Sequence, residues 1–126
     1  MMMLKNFECR YDDNYRVFRI SWEGESQPAD VRDMWIDLSK KIEVEADCKG
    51  FLVDQVAVDL SDIVESYKTV TDVFLEYEDA FKDRKIAVLV EDPKMMADFI
   101  LMQRQSGGVL LRPFADENAA LSWVLI

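Results

Sequence analysis

The sequence predicts a single α/β domain, an opening β-hairpin followed by alternating helices and strands. That order gives a mostly parallel sheet with helices packed on it. Three observations predict it. Two segments of strand character flank a short polar turn at 12–14. Apolar, β-branched runs at 51–58, 85–90 and 109–114 are each followed by a helical pattern of apolar residues. The chain has 126 residues with only 4 Gly and 3 Pro, enough for one domain over 1–126 and little room for long loops. No linker, internal repeat or second core is visible.

Each element has a local reason. From Leu4 to Tyr11, apolar and polar residues alternate, with Phe7, Cys9 and Tyr11 on one side. This is the period of a half-buried strand, expected as the antiparallel edge. Asp12-Asp13-Asn14 reads as a turn, and Tyr15–Trp22 resumes strand character. Gly24–Ala29 reads as a connection, with Ser26 or Gln27 near a helix cap and Pro28 in the first turn. Val31, Met34, Trp35, Leu38 and Ile42 then recur at three- and four-residue steps, which predicts a helix over 28–45. Asp30 and Asp33 near its start and Lys40 and Lys41 near its end suit the helix dipole.

Gly50 punctuates the chain before the buried-strand run at 51–58. Ile63, Tyr67, Val70, Phe74, Tyr77 and Phe81 follow the helical step and predict one continuous helix over 62–82. Lys85–Val90 reads as a central parallel strand. Asp92-Pro93 opens the next helix, with Met95, Met96, Phe99, Ile100 and Met102 apolar, and Gly107-Gly108 ends it. Val109–Phe114 is the last strand, and Asp116 caps a terminal helix carrying Trp123. Trp22, Trp35 and Trp123 read as core anchors.

Net charge is -10. A surface this acidic repels phosphate backbones and anionic membranes, which argues against a nucleic-acid partner. The charge is uneven: residues 51–84 hold 3 basic and 9 acidic groups, whereas residues 85–126 hold 4 and 5. An acidic block of this kind usually serves solubility; the sharper reading is a docking face for a basic partner.

There is no histidine, so Ser-His-Asp and Cys-His catalysis are excluded. Cys9 and Cys48 are far apart, too few for a zinc site, and read as free, partly buried thiols. Neither a cofactor nor a metal is implied. The opening Met1-Met2-Met3-Leu4 is too short for a signal peptide, and no apolar run reaches the ~20 residues of a membrane span. The expected place is the cytoplasm.

Three stretches together resemble the SpoIIAA-like branch of the STAS fold, the fold of sulfate transporters and anti-sigma-factor antagonists. Tyr15–Trp22 is a strand followed by Gly24 and a helix. Arg84-Lys85-Ile86-Ala87-Val88 resembles that branch's strand with a basic residue ahead of Ala-Val. Arg112-Pro113-Phe114, then Glu117, Ala119 and Trp123, resembles its C-terminal tail. The resemblance spans residues 5–125 and implies a small, non-enzymatic regulatory module that binds a protein.

Anti-sigma-factor antagonists place a phosphorylatable serine in an Asp-Ser-Ser-Gly turn. The corresponding place here is Asp59-Leu60-Ser61-Asp62, which has neither the second serine nor the glycine. The usual phosphoserine turn is therefore not intact. Asp62 would repel a phosphate on Ser61, and a serine here commonly serves as a plain N-cap. The expected partner site is still Ser61 with Asp59 and Asp62.

The same branch is similar in fold to CRAL-TRIO lipid-binding domains. That implies an alternative, a carrier of a small apolar or lipid-like ligand, with Tyr67, Phe74, Tyr77, Phe81, Met95 and Phe99 as pocket walls. An aromatic stripe at helical spacing more often packs a core. Methionines likewise serve both adaptable surfaces and core filling. Asp54, Asp59 and Asp62, near strand ends, are the acidic cluster that an enzyme would use. Clusters of this kind are usually surface carboxylates. An exposed first strand would offer an edge to a second copy of the chain.

Overall fold

A computed structural model of the chain describes residues 2–4, 7–60, 63–105 and 109–126, with backbone alone at 2–4, 25–26, 56–60, 63–64 and 105. Six strands form one sheet in chain order: β1 (Met2–Leu4), β2 (Phe7–Asp12), β3 (Val17–Ser26), β4 (Gly50–Leu60), β5 (Lys85–Leu89) and β6 (Leu110–Phe114). The pairs β1–β2 and β2–β3 are antiparallel, and β3–β4, β4–β5 and β5–β6 are parallel. The helices are α1 (Pro28–Val44), α2 (Ile63–Glu76), α3 (Glu78–Phe81), α4 (Pro93–Gln105) and α5 (Glu117–Leu125). The mostly parallel α/β architecture is the expected one.

Strand alternation sorts the core into two layers. Phe7 and Cys9 of β2, Phe18, Ile20 and Trp22 of β3, and Phe51 and Val53 of β4 point to one face. They meet Met34, Trp35 and Leu38 of α1, Phe74 of α2, and Phe99 and Met102 of α4. The intervening residues Val17, Leu52, Ala87 and Leu89 point to the other face, under Ala120 and Val124 of α5. Trp123 is partly buried on that side, its ring 5.6 Å from Phe114 and 5.4 Å from the Lys85 ammonium.

Four elements depart from expectation. Met2–Leu4 forms an additional strand that pairs with β2, so the predicted edge strand is second in the sheet. The turn after β2 runs through Arg16 (φ 60°) because the Asp12 carboxylate accepts from the backbone of Asn14 (3.0 Å) and Tyr15 (3.3 Å). Tyr15 is therefore turn, not strand. The polar segment 23–26 read as a connection, yet it extends β3, opposite Ala57–Leu60 of a long β4. Gly24 adopts φ 78° there, a left-handed backbone that side chains disfavour. A ladder partner overrides weak local strand propensity.

The fourth departure is the predicted helix over 62–82, which breaks at Tyr77 into α2 and α3. The last turn of α2 has no basic residue, and an acidic run follows, so a continuous helix would place Glu78 and Asp79 against its negative dipole end. As the first residues of α3 the same carboxylates face a positive end.

Gly50 admits no side chain. A Cβ there would collide with the backbone carbonyl of Lys85 and lie 2.9 Å from Val124 Cγ1. Gly50→Ala should therefore cost about 3 kcal/mol, read as a lower urea midpoint at unchanged slope. An unchanged midpoint would show that β4 and β5 can part without cost.

Burial raises both thiols, Cys9 to about 11. An acid raised on folding stays protonated in the folded chain while the unfolded chain ionises. The stability it contributes is complete below the unfolded thiol value of about 8.5 and is lost as pH rises toward the folded one. The urea midpoint should fall between about pH 8 and pH 10 in the wild type, and fall less in Cys9→Ala. Equal slopes would show that Cys9 ionises as easily folded as unfolded.

Candidate functional site

The residues expected to form a site fall into three groups. Ser61 and Asp62 lie outside the described residues, and Asp59 is placed by its backbone alone, opposite Glu25 near the end of β4. Asp54, half-buried, lies on the α5 face of β4, opposite Ser21 and Leu89. Among the described residues no group of three His, Cys, Asp or Glu could hold a metal ion.

The aromatic and methionine set is brought together, as core. Phe74, Phe81 and Phe99 are buried, with Tyr67, Tyr77 and Met95 partly buried against them. Trp35 meets Phe74, Phe81 and Phe51 edge-on at ring separations of 4.9, 5.7 and 5.9 Å. Tyr67 meets Phe99 at 5.1 Å. Side chains thus fill the volume an apolar ligand would take. The enclosed space beneath α2 leaves room of about 10 Å³ for the centre of a water-sized molecule. Burial, with Asp98 and Asp92 nearby, pushes the Tyr67 hydroxyl well above the usual tyrosine range.

A surface feature that the stripe did not reveal lies where α1 ends beside the break between α2 and α3. An open groove of about 750 Å³ runs between Ile42 and Glu43 on one side and Leu75–Ala80 on the other. Leu75 is 48% exposed and forms part of the apolar floor of this groove. Glu43, Glu76, Glu78 and Asp79 ring this apolar floor. The acidic block seen in the sequence thus converges, in part, on one groove. Its apolar member was hidden because Leu75 lies off the 63-67-70-74 stripe.

Three cations stand near these carboxylates. Lys40 is exposed on the rim. Lys82 reaches Asp79 at 3.5 Å, a pair too exposed to contribute much. Arg84 is committed elsewhere: its guanidinium donates to the carbonyls of Cys48 (3.2 Å), Ala80 (3.0 Å) and Ala46 (3.1 Å). It thereby ties the end of α3 to the loop after α1 and fixes the two walls of the groove. Four carboxylates against Lys40, Lys82 and Arg84, which keeps its charge while donating to neutral carbonyls, leave the rim net negative by about one charge.

No protein-family model matches the sequence, and no curated protein matches it. Solved structures similar over nearly the whole chain include the following two. One is a protein of the DUF3478 family with a SpoIIAA-like fold from Shewanella loihica PV-4, 16% identical, with a TM-score of 0.68 and 98% of each chain covered. The other is the anti-sigma factor antagonist SpoIIAA in its unphosphorylated form, 18% identical, with a TM-score of 0.63 and 94% of this chain and 96% of that one covered. The chain has a SpoIIAA-like STAS fold, as the resemblance implied. Among the described residues no helix is long and apolar enough to cross a membrane.

The Arg84 clamp is testable. Lysine cannot span three carbonyls with one ammonium, so Arg84→Lys and Arg84→Ala should both cost about 2 kcal/mol in urea unfolding. Full retention of stability in Arg84→Lys would show that charge, not the planar fork, holds the loop.

Proposed function

We propose that the protein is a non-enzymatic regulatory module that binds a basic segment of a partner protein in the groove between α1 and α2–α3. The observation that carries this reading is the half-exposed Leu75 inside a ring of carboxylates. An apolar floor supplies affinity, and a rim of net negative charge selects an oppositely charged partner and speeds encounter. The fold supports it, because SpoIIAA is by its name an anti-sigma factor antagonist. In this reading the site expected at Ser61, with Asp59 and Asp62, takes no part, because these residues precede Ile63, the first residue of α2, and the groove lies by its last turn.

An amphipathic leucine–lysine peptide serves as the probe, followed by amide chemical shifts. Shifts should concentrate at Ile42, Leu75, Tyr77 and Ala80. The double variant Leu75→Ser/Glu76→Lys should weaken binding about tenfold, equivalent to about 1.4 kcal/mol, while Ser61→Ala leaves it unchanged. Glu91→Lys, an equal charge reversal at an exposed site outside the groove, should also leave it unchanged. Equal weakening by Glu91→Lys would mean that the peptide reads net charge alone. Loss of binding in Ser61→Ala would move the contact to the opposite end of α2.

A further inference from the structure

Among the described residues, five buried side-chain polar atoms find no hydrogen-bond partner in the protein. Four of them, Trp22 Nε1, Gln55 Oε1, Ser66 Oγ and Tyr67 OH, belong to residues lining the same small enclosed space between the sheet and α2. The fifth, on Asp37, lies outside that lining. Trp22, Gln55 and Ser66 are 2%, 6% and 1% exposed, so bulk water does not satisfy them. Orphan polar atoms inside a protein are expensive, and four together would offset much of a small domain's stability.

The sheet is irregular at this place. Ser21 pairs with Asp54, but Glu23 pairs with Ala57, so β4 carries one extra residue opposite Trp22. A bulge re-aims side chains and tends to lie beside functional positions. Here it falls where a glutamine stands among Val70, Val88 and Leu111.

We propose that this space is an internal binding site for one water molecule. The chemistry of the four groups matches a water. The Trp22 indole can only donate, and the Gln55 carbonyl oxygen can only accept. The Ser66 and Tyr67 hydroxyls do either. A water accepts two hydrogen bonds and donates two: it takes one from Trp22, gives one to Gln55, and exchanges the other pair with the hydroxyls. Room of about 10 Å³ is the lower limit for a single water and excludes a larger guest. A neutral guest also fits the surroundings, because the space is walled by apolar side chains and offers no charge to an ion. The water joins β3 and β4 to the first turns of α2 and fixes the rotation of that helix on the sheet.

A high-resolution crystal structure of the wild-type protein tests this directly. The expected result is an ordered water within about 2.7–3.2 Å of both Trp22 Nε1 and Gln55 Oε1. The four groups closing on one another with no water between them would overturn the proposal. Urea unfolding of Ser66→Ala and Tyr67→Phe gives an independent sign. In a hydrated site each variant strips the water of a partner and lowers the midpoint. In a dry site each removes an unsatisfied group and raises it, which would equally overturn the proposal. The wild-type crystal decides the matter even if a variant fails to fold.

Discussion

The packing of Trp35 against three phenylalanines is the contact on which the rest of the structure depends. Its ring joins α1 to Phe51 of the central β4, to Phe74 of α2 and to Phe81 of α3. Phe74 and Phe81 also meet each other at 5.3 Å. Edge-on aromatic contacts of this kind add to burial and fix orientation. Both phenylalanines come in on one indole from either side of the break at Tyr77. The break therefore satisfies two demands at once, placing Phe81 in the core and moving the 78–79 carboxylates to a favourable helix end. The groove is a by-product: the chain that turns Phe81 inward leaves Leu75 and the carboxylates outside.

Elements whose hydrophobic period matches their burial were legible in the sequence. The helix over 28–45 became α1, and the runs at 51–58, 85–90 and 109–114 lie within or match β4, β5 and β6 to a few residues. Two helix starts were legible too: Pro93 opens α4, and the Asp116 carboxylate accepts from Ala119 N at 2.9 Å, whereas the caps expected at Ser61 and Gly107-Gly108 lie outside the described residues. What was illegible depends on partners distant in the chain. Residues 23–26 carry no strand signal of their own, and the β4 ladder holds them in the sheet. The Met2–Leu4 strand likewise exists through pairing with β2. The break at Tyr77 is invisible to periodicity, since Phe74 and Phe81 keep helical spacing across it.

The candidate sites were legible unevenly, for the same reason. The composition showed an acidic middle third but could not show that Glu43, from another element, joins it. Nor could periodicity separate a ligand wall from a core: Tyr67, Phe74, Tyr77, Phe81, Met95 and Phe99 carry the same pattern in either role. Only three-dimensional packing shows that they meet one another. Gln55 and Ser66 gave no signal, because a single polar residue in an apolar run looks like an exposed strand or helix position.

The two ends of α2 differ in construction, and this bears on which one a partner meets. At the end of the sheet where β4 and β5 begin, Gly50 lets α5 approach the backbone closely, and Lys85 Nζ donates to the carbonyls of Trp123 and Ile126, both at 2.9 Å. A cation on the last carbonyls of α5 also opposes the negative end of its dipole. Arg84 ties three carbonyls together at the same end. The groove is therefore carried by a well-fastened part of the molecule, where the backbone walls need little ordering on binding. At the other end β4 outruns β5, whose last pairing is Asp54 with Leu89, and the bulge and the orphan polar atoms gather there. A fourteen-residue α2 spans about 21 Å, which is the distance between its start and the groove. A preorganised groove at one end favours recognition there. The polar packing at the other is better suited to setting how α2 sits on the sheet.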